Sequence, residues 1–578
     1  MTAPRNEEIA RVLFAIAEFL EMQGIPFKPK AYEKAGRTVE GLPEEASAIY
    51  LKGGRKALLE LPGIGENIAK KIEELIQTGK LAYYEDLKKG SKIDIEGLMA
   101  VPGLGPKRIM LLKEKLGIRD VEGLKKAALS HRIREIPGLG ATVEENILKG
   151  IELVKGGEKR FILGYIEPLA MEIRGRIAGL KSVKKVEIAG SFRRRKETVG
   201  DLDFLIISDK PDEVMDFVVS MPEVKDVIAK GKTRSAVRLK DGLQIDFRVL
   251  ADDEFGSALQ YFSGSKEHNV VLRRMANAKG LTLSEYGLFT IKGKKWVAGK
   301  TEGDIYSKLG LRYIEPELRE NSGEIEAAQK GKLPDLVDVA DVLGDLQTQT
   351  SWSDGNHSIE EMAKAAIGLG YDFLAITDHG GSALPVAHAL DEKRLLEQGK
   401  EIDRLNDKLD IRILKGTEVD ITKDGKLALS KKALENLDFV LAAVHSGFKS
   451  SGKEMTKRIT DAIESYPIHS FAHPTGRVIN KREPYALDLE ALFDCCKKTG
   501  TFLEIDGHPE RMDLNDIHAR AAKEAGCRFT LSTDAHDKSH LSYMRYAVAI
   551  ARRGWLEAKD ILNTYPIDRI EKELAKRK

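Results

Sequence analysis

The sequence has few cysteines and no long apolar run. Only three of its 578 residues are cysteine, which excludes a disulfide framework and favours a reducing compartment. No apolar run approaches the ~18 residues that a membrane helix needs, and residues 1–8 lack the apolar segment of a signal peptide. We therefore expect a cytoplasmic protein that does not enter a membrane.

A strong charge of one sign is also missing. The 93 Lys and Arg residues nearly balance the 91 Asp and Glu residues, so the formal net charge is +2. This balance excludes a global positive field, and any attraction to DNA must come from local patches. At ~150 residues per domain, the length predicts about four globular domains.

The most informative segment joins a basic, glycine-led turn to two closely spaced carboxylates. Residues 190–200 read GSFRRRKETVG, and Asp201 and Asp203 follow in an apolar stretch that predicts a strand. Side chains two residues apart on a strand point to the same face, so both carboxylates can bind one divalent ion. Asp246 lies in a second apolar stretch, residues 243–249, which can lie beside the first. Together the three carboxylates predict a two-ion site for in-line displacement at phosphorus.

The turn has the groups that bind a triphosphate. Backbone N–H groups at Gly190 and Ser191, the Ser191 hydroxyl and the Arg194 guanidinium can all donate to phosphate oxygens. The alternative is a carboxylate pair that only protects a strand edge beside a solvated basic loop. The order of the motifs favours nucleotidyl transfer and resembles the palm of family X DNA polymerases, the group that contains DNA polymerase beta. The resemblance implies Mg²⁺ or Mn²⁺ at the aspartates, dNTP substrates, and nucleotide binding by Gly190, Ser191, Arg194 and Gly200.

An internal repeat occupies the first third of the chain. Segments of the form apolar-Pro-Gly-apolar-Gly begin at residues 61, 101 and 136. Each fits a helix, a tight turn and a second helix whose first N–H groups can bind a DNA phosphate without reading a base. One such turn is only a helix connector, but three of them, each followed by basic residues, favour binding to the DNA backbone. The glycines predicted to make this contact are Gly63, Gly65, Gly103, Gly105, Gly138 and Gly140.

Residues 27–85 also resemble the small lyase domain of DNA polymerase beta. The match rests on residues 31–35 and 61–72. The resemblance implies that Lys71 forms a Schiff base with C1′ of an abasic sugar and assists elimination of a 5′-deoxyribose phosphate. Asn67 stands where the family often has a second lysine, so a Lys71 that only touches phosphate remains an alternative.

Residues 256–269, GSALQYFSGSKEHN, resemble the thumb motif of the same family. From the residues alone, an aromatic pair before Ser-Gly-Ser can equally pack a helix join. The resemblance implies nucleotide contacts for Tyr261, Phe262, Gly264 and Asn269, and a DNA contact for Arg273.

Apolar stretches alternate with helical segments in the last 240 or so residues. Each apolar stretch ends near a His, Asp or Glu, which predicts a parallel β/α barrel with ligands at the carboxyl ends of its strands. The predicted strands are residues 373–377, 439–444, 471–472, 501–505 and 529–532. The motifs resemble the PHP (polymerase and histidinol phosphatase) phosphoesterase domain. The resemblance implies Zn²⁺ or Mn²⁺ ligands at Asp354, His379, Glu418, His445, His473, Asp534 and His536.

One part of this predicted cluster is incomplete. The opening His-x-His of the PHP family should fall at Gln347 and Gln349, whose neutral amides replace imidazole poorly on a divalent ion. We expect the ion position at Asp534 to be damaged and the other two of the three positions to survive. Whether the barrel still cleaves phosphodiesters stays open.

The sequence thus predicts a multidomain α+β protein. Its predicted parts are a lyase-like helical domain (1–88), fingers with helix-hairpin-helix motifs (89–154), a nucleotidyltransferase palm (155–250), a thumb (251–320), a linker (321–340) and a PHP β/α barrel (341–578).

The predicted function is a DNA polymerase that fills short gaps in DNA repair of the base excision type. Asp201 and Asp203 would hold both ions, while Asp246 would hold the catalytic ion and receive the proton. Gapped or nicked DNA and dNTPs would bind to a monomer, with accessory lyase activity and weakened 3′-5′ exonuclease or abasic-site endonuclease activity. The alternatives are a PHP phosphoesterase whose polymerase core only positions DNA, and a gap-binding scaffold without enzymatic activity.

Overall fold

The described residues of the computed structural model form two compact units. The first unit comprises residues 1–160, 256–261 and 266–309, and the second comprises residues 161–255, 262–265 and 310–578. None of the described helices is long and apolar enough to cross a membrane. The structure describes the whole chain except residues 1–3, 5, 23–24, 26–27, 41, 43–44, 62, 92–93, 95–97, 99–100, 102–105, 137–138, 141–142, 145–146, 149–150, 152–159, 382–387 and 578.

The first unit starts with a bundle of helices. Its first helix buries Ile9, Leu13 and Ile16, whose spacing of three and four residues places them on one face. The longer described helices of this part are Asn6–Met22, Lys28–Glu40, Ala46–Leu59, Glu66–Thr78, Ala82–Ser91, Pro106–Leu116 and Val121–Leu129.

The rest of the first unit combines helices with a small antiparallel sheet. The helix Phe255–Ser263 contributes residues 256–261 to this unit. The sheet contains the strands Leu281–Ser284, Gly287–Thr290 and Trp296–Ala298. The flanking helices are Lys266–Ala278 and Glu302–Leu309.

A five-stranded sheet opens the second unit. Its order is Val183–Ile188, Asp201–Ser208, Gln244–Leu250, Arg234–Leu239, Val224–Lys230. The second and third strands in this order run parallel, and the other pairs are antiparallel. Apolar side chains of the sheet share one buried core with the helices Leu163–Ala178 and Pro211–Val219. Three short elements, Phe161–Ile162, Gly190–Arg193 and Thr198–Val199, complete this part.

A near-closed parallel barrel forms most of the second unit, which confirms the predicted β/α barrel and the α+β class. A bridge between Thr348 and Ala535 links its first strand to the end of its last. The barrel strands are, in order, Gly344–Thr348, Phe373–Ile376, Arg412–Asp420, Phe439–Ala443, Ser470–Phe471, Phe502–Asp506 and Phe529–Ser532, with His379–Gly380 paired beside the third. The helices are Ile359–Gly368, Glu392–Asn406, Lys431–Glu435, Gly452–Ser465, Leu489–Thr499, Asp516–Ala525, Met544–Arg553 and Ile567–Leu574.

The five-stranded sheet, which we call the palm sheet, and the barrel belong to the same compact unit. The segment between them, predicted as a linker at residues 321–340, contains the helix Glu324–Lys330. Ile325 and Ala328 of this helix are buried. The predicted domain boundaries remain predictions.

Candidate active sites

Three carboxylates converge on the palm sheet. Asp201 and Asp203 lie on the same strand, and Asp203 is directly opposite Asp246 on the parallel neighbour. Side chains at positions two apart share a face, so all three carboxylates lie on one side of the sheet. Asp246 is oriented by Gln244, whose Nε2 donates at 2.8 Å, and by Arg234, whose Nη2 lies 3.2 Å away.

The electrostatics of this cluster suit a cation. Burial, followed by the negative charges of Asp201 and Asp246, raises the pKa of Asp203 to about 7. Like charges this close are relieved by a proton or by a divalent ion. The three oxygen-bearing side chains therefore fit the Mg²⁺ or Mn²⁺ that the sequence predicts here.

Glycine is required at the start of the basic turn. Gly190 has a φ of +67°, and a Cβ built on it would lie 2.9 Å from Oδ2 of Asp203. The backbone N–H of Ala189 donates to the carbonyl of Asp203 at 2.8 Å. The turn that carries Ser191 is thus attached to the carboxylate strand, with Gly200 immediately before Asp201.

Arg194 is held in a fixed orientation. Its Nη1 donates to the carbonyl of Ser263 at 2.8 Å, and its Nε donates to Oε1 of Glu320 at 2.9 Å. The adjacent Phe262 lies under the guanidinium of Arg248, 4.5 Å from the ring centre. Gly264 follows Ser263 between two helices.

Asn269 and Tyr261 lie in the first unit. Oδ1 of Asn269 accepts from Gln260 at 2.8 Å, and its Nδ2 donates to the carbonyl of Tyr261 at 2.6 Å. Arg273 is half-buried one turn further along the same helix.

The first glycine hairpin forms as the sequence predicts. Gly63 has a φ of +80°, and Gly65 is the residue before the helix Glu66–Thr78. In the third hairpin the carbonyl of Gly140 accepts hydrogen bonds from the backbone N–H groups of Val143 and Glu144. Three of the predicted glycines lie outside the described residues: Gly103, Gly105 and Gly138.

Lys71 lies between aromatic rings in the first unit. Its Nζ is 4.5 Å from the ring centre of Tyr83 and 6.0 Å from that of Tyr32. Burial is the main cause that lowers the pKa of Lys71. This shift increases the fraction of neutral amine, which a Schiff base requires.

Seven predicted ligands surround the carboxyl ends of the barrel strands, and three of the histidines contact Glu418. Its Oε1 lies 3.0 Å from Nε2 of His473 and 3.2 Å from Nε2 of His445. Its Oε2 lies 3.3 Å from Nδ1 of His379. Two overlapping groups bring their ligand atoms within 4.8 Å of one another: Asp354, His379 and His536, and His379, Glu418 and His445.

These two groups fit divalent ions. Nδ1 of His379 and Nδ1 of His445 are buried and make no aligned hydrogen bond within the described part of the chain, although Oε2 of Glu418 and Oδ1 of Asp420 lie 3.3 and 3.6 Å from them. Burial alone would raise the pKa of Glu418, but the positive charges of His379 and His445 hold that pKa well below its usual value. Burial alone would lower the pKa of His445 and that of His536. The carboxylate of Glu418 nevertheless raises the pKa of His445 to about 9, and Asp354 with Asp534 raises the pKa of His536 to about 10.

The third ion position does not fit a metal. Nε2 of Gln347 donates to Oδ1 of Asp534 at 3.3 Å, and Nε2 of Gln349 donates to Oε2 of Glu418 at 3.1 Å. The guanidinium of Arg511 lies 3.4 Å from Oδ2 of Asp534. One amide donor and a cation therefore face Asp534, and a second amide donor faces Glu418, where an ion would need lone pairs.

Sequence reasoning missed several residues that support these sites. Asp420 is buried two residues after Glu418 on the same strand and accepts from the backbone N–H of His445 at 3.1 Å. The spacing that revealed the palm carboxylates would have revealed Asp420 too. No local signal pointed to Glu320 or Arg511, whose partners are distant in the chain.

Four family models match parts of the chain. They describe a helix-hairpin-helix domain at residues 4–81, a SAM-like helix-hairpin-helix tandem at residues 95–152, a DNA polymerase beta thumb at residues 258–320 and a PHP domain at residues 345–508.

Curated relatives match over long stretches. The DNA polymerase/3′-5′ exonuclease PolX of Bacillus subtilis is 36% identical over 570 residues, which cover 98% of each chain. DNA polymerase lambda of Arabidopsis thaliana is 28% identical over 54% of this chain and 62% of its own length. The rat DNA polymerase lambda is 25% identical over 54% of this chain and 56% of its own length. The chain belongs to the family X DNA polymerases that carry helix-hairpin-helix motifs, a polymerase beta thumb and a C-terminal PHP domain.

Proposed function

We propose that this chain fills short gaps in DNA during base excision repair by adding dNMP residues to a 3′-hydroxyl. One observation carries the proposal: Asp203 and Asp246 face each other in register, with Asp201 on the same face. All three carboxylates that the sequence predicts for the palm are present, whereas the barrel cluster has glutamine at two predicted histidine positions.

In the proposed reaction the palm residues bind and orient the reactants. Ser191 and Arg194 donate to the triphosphate, and Asp246 takes the proton of the 3′-hydroxyl. Mg²⁺ or Mn²⁺ held by the three aspartates would neutralise charge on the triphosphate. Because Arg194 is already fixed by Ser263 and Glu320, it loses little side-chain freedom on nucleotide binding.

The first unit would hold the DNA. The hairpin at Gly63 and Gly65 presents the N-terminus of the helix Glu66–Thr78, which can donate to a backbone phosphate. Lys71, on that helix, would act as the lyase nucleophile on a 5′-deoxyribose phosphate. Asn269 and Tyr261 would contact the nucleotide, Arg273 the template strand, and the chain would act as a monomer.

The barrel would contribute a weakened 3′-5′ exonuclease. Asp354, His379, His536, Glu418 and His445 would hold Mn²⁺ or Zn²⁺, and such ions would supply an activated water for phosphodiester cleavage. His473 contacts Glu418 and would complete this set. Gln347 and Gln349 weaken it because they supply no imidazole.

Primer extension on a one-nucleotide gap tests the proposal. Asp203→Ala should abolish extension, while Asp209→Ala, an exposed aspartate of the same strand region paired with Lys184, should not. Unimpaired extension by Asp203→Ala would contradict the proposal. A wild type that cleaves but never extends would favour the phosphoesterase, and one that only binds gapped DNA would favour the scaffold.

A further inference from the structure

Arginines of the barrel hold the basic turn of the palm. Nη1 of Arg553, at the end of the helix Met544–Arg553, donates to the backbone carbonyl of Arg194 at 2.8 Å. The same Nη1 lies 3.1 Å from Oε1 of Glu320, the oxygen that accepts from Nε of Arg194. Arg553 therefore contacts both the backbone of Arg194 and the carboxylate that orients its guanidinium.

Arg553 is itself fixed within the barrel. Its side chain is 5% exposed, and its Nη2 pairs with Oδ2 of Asp516 at 2.5 Å. Two arginines, Arg194 and Arg553, thus share Glu320, and Asp516 supplies the second negative charge. A buried arrangement of this kind adds little stability over apolar packing, but it fixes geometry, and removing one member leaves the others unpaired.

Two further arginines act on the same turn, Arg477 directly and Arg545 through Glu167 of the helix Leu163–Ala178. Nη2 of Arg477 pairs with Oε2 of Glu197 at 2.6 Å. Nε of Arg545 lies 3.0 Å from Oε2 of Glu167, and the other oxygen of Glu167 pairs with Arg195. The turn is therefore held at three points between residues 194 and 197.

We propose that the barrel is a positioning part of the polymerase site, with Arg553 as the residue that acts through Glu320 and the Arg194 carbonyl. Nucleotide affinity then depends on the barrel through this contact and not through the ions of the barrel. The inference rests on the proposed role of Arg194 in binding the triphosphate.

The test is steady-state filling of a one-nucleotide gap by the full-length chain with Mg²⁺. Arg553→Ala should raise KM for the complementary dNTP roughly ten-fold, because Arg194 loses its fixed orientation. The Kd for the gapped DNA and the ions bound per chain should stay within two-fold of wild type. Arg553→Lys should raise KM less, because an ammonium keeps the charge but cannot bridge three oxygens in the fork geometry.

The matched control is Arg569→Ala, which removes a barrel arginine stacked on Tyr565 at 3.6 Å from the ring centre. An equal rise of KM in this control, or an equal loss of affinity for DNA in Arg553→Ala, would overturn the inference because general destabilisation would explain both. A KM within two-fold of wild type in Arg553→Ala would overturn it as well.

Two other results would show that the proposed function itself is wrong, and not only the inference. A wild type that incorporates no nucleotide, or an Arg194→Ala variant with unchanged KM, would overturn the role of Arg194 and the inference together. If Arg553→Ala does not fold, Asp516→Asn replaces it, since Asp516 is partly exposed and the change keeps its shape but removes the charge that fixes Arg553. That variant should raise KM in the same direction by about two- to three-fold, and an unchanged KM would contradict the inference.

Discussion

The palm and the barrel both place acidic side chains on strands, but only the palm set is complete. In the palm, Asp203 faces Asp246 in register across parallel strands. In the barrel, Glu418 gathers three histidines, while Gln347 and Gln349 donate to Asp534 and Glu418, where the family has imidazoles.

The difference shows how two substitutions change the chemistry of a site without changing its fold. Gln347 and Gln349 are fully buried and keep hydrogen bonds to the carboxylates, so the barrel stays closed around them. Arg511 compensates part of the remaining negative charge at Asp534. The barrel therefore keeps its fold around Gln347 and Gln349, and it still contacts the palm.

The largest expected effect comes from separating the two sites by mutation. Asp246→Asn should lower gap filling by on the order of 10³-fold, because the amide removes a negative charge from the site. Phosphodiester cleavage by the barrel should not change. Glu418→Ala should lower cleavage and leave gap filling unchanged. Both activities are measured as extension and degradation of one end-labelled primer. Loss of both activities in either variant would show that the sites are not independent.

The proposed lyase site at Lys71 extends the comparison because it would use no metal. Borohydride should trap a covalent adduct of Lys71 with incised abasic DNA, and EDTA should not prevent it, since a Schiff base needs only a neutral amine. Lys71→Ala should abolish the adduct, whereas Lys70→Ala, a change at the exposed neighbour, should not. Trapping that persists in Lys71→Ala would place the nucleophile elsewhere.

The pH dependence of ion binding should distinguish the palm from the barrel. An ion competes with protons, so affinity rises with pH until the ligands are deprotonated. The pKa of Asp203 is about 7. The affinity of the palm for the ion should therefore fall about ten-fold for each pH unit below 7 and for each proton that the ion displaces, and it should change little above pH 7. The pKa values of His445 and His536 are about 9 and 10, so the barrel should still gain affinity between pH 7 and 9.

Calorimetric titration with Mn²⁺ at pH 6 to 9 measures this difference. His379→Ala isolates the palm, because His379 belongs to both ligand groups of the barrel, and the double variant Asp203→Ala/Asp246→Ala isolates the barrel. A barrel affinity that does not change above pH 7 would contradict the account.

The fold and most of the site could be predicted from local patterns. Two-residue spacing on an apolar strand predicted the palm carboxylates, and strand-end histidines predicted the barrel. Neither pattern could predict the support around them. Glu320 lies 126 residues from Arg194, and Arg553 lies 359 residues from the carbonyl that it binds. Arginine and glutamate usually lie on the surface, and their pairing follows only from the folded chain.

The number of ions bound by the barrel tests the central contrast most directly. Native mass spectrometry of the Asp203→Ala/Asp246→Ala variant with Mn²⁺ should show two ions per chain, because Gln347, Gln349 and Arg511 exclude a third. Adding Gln347→His and Gln349→His to that variant should raise the count to three and increase cleavage. Three ions before the histidines are restored would contradict the account.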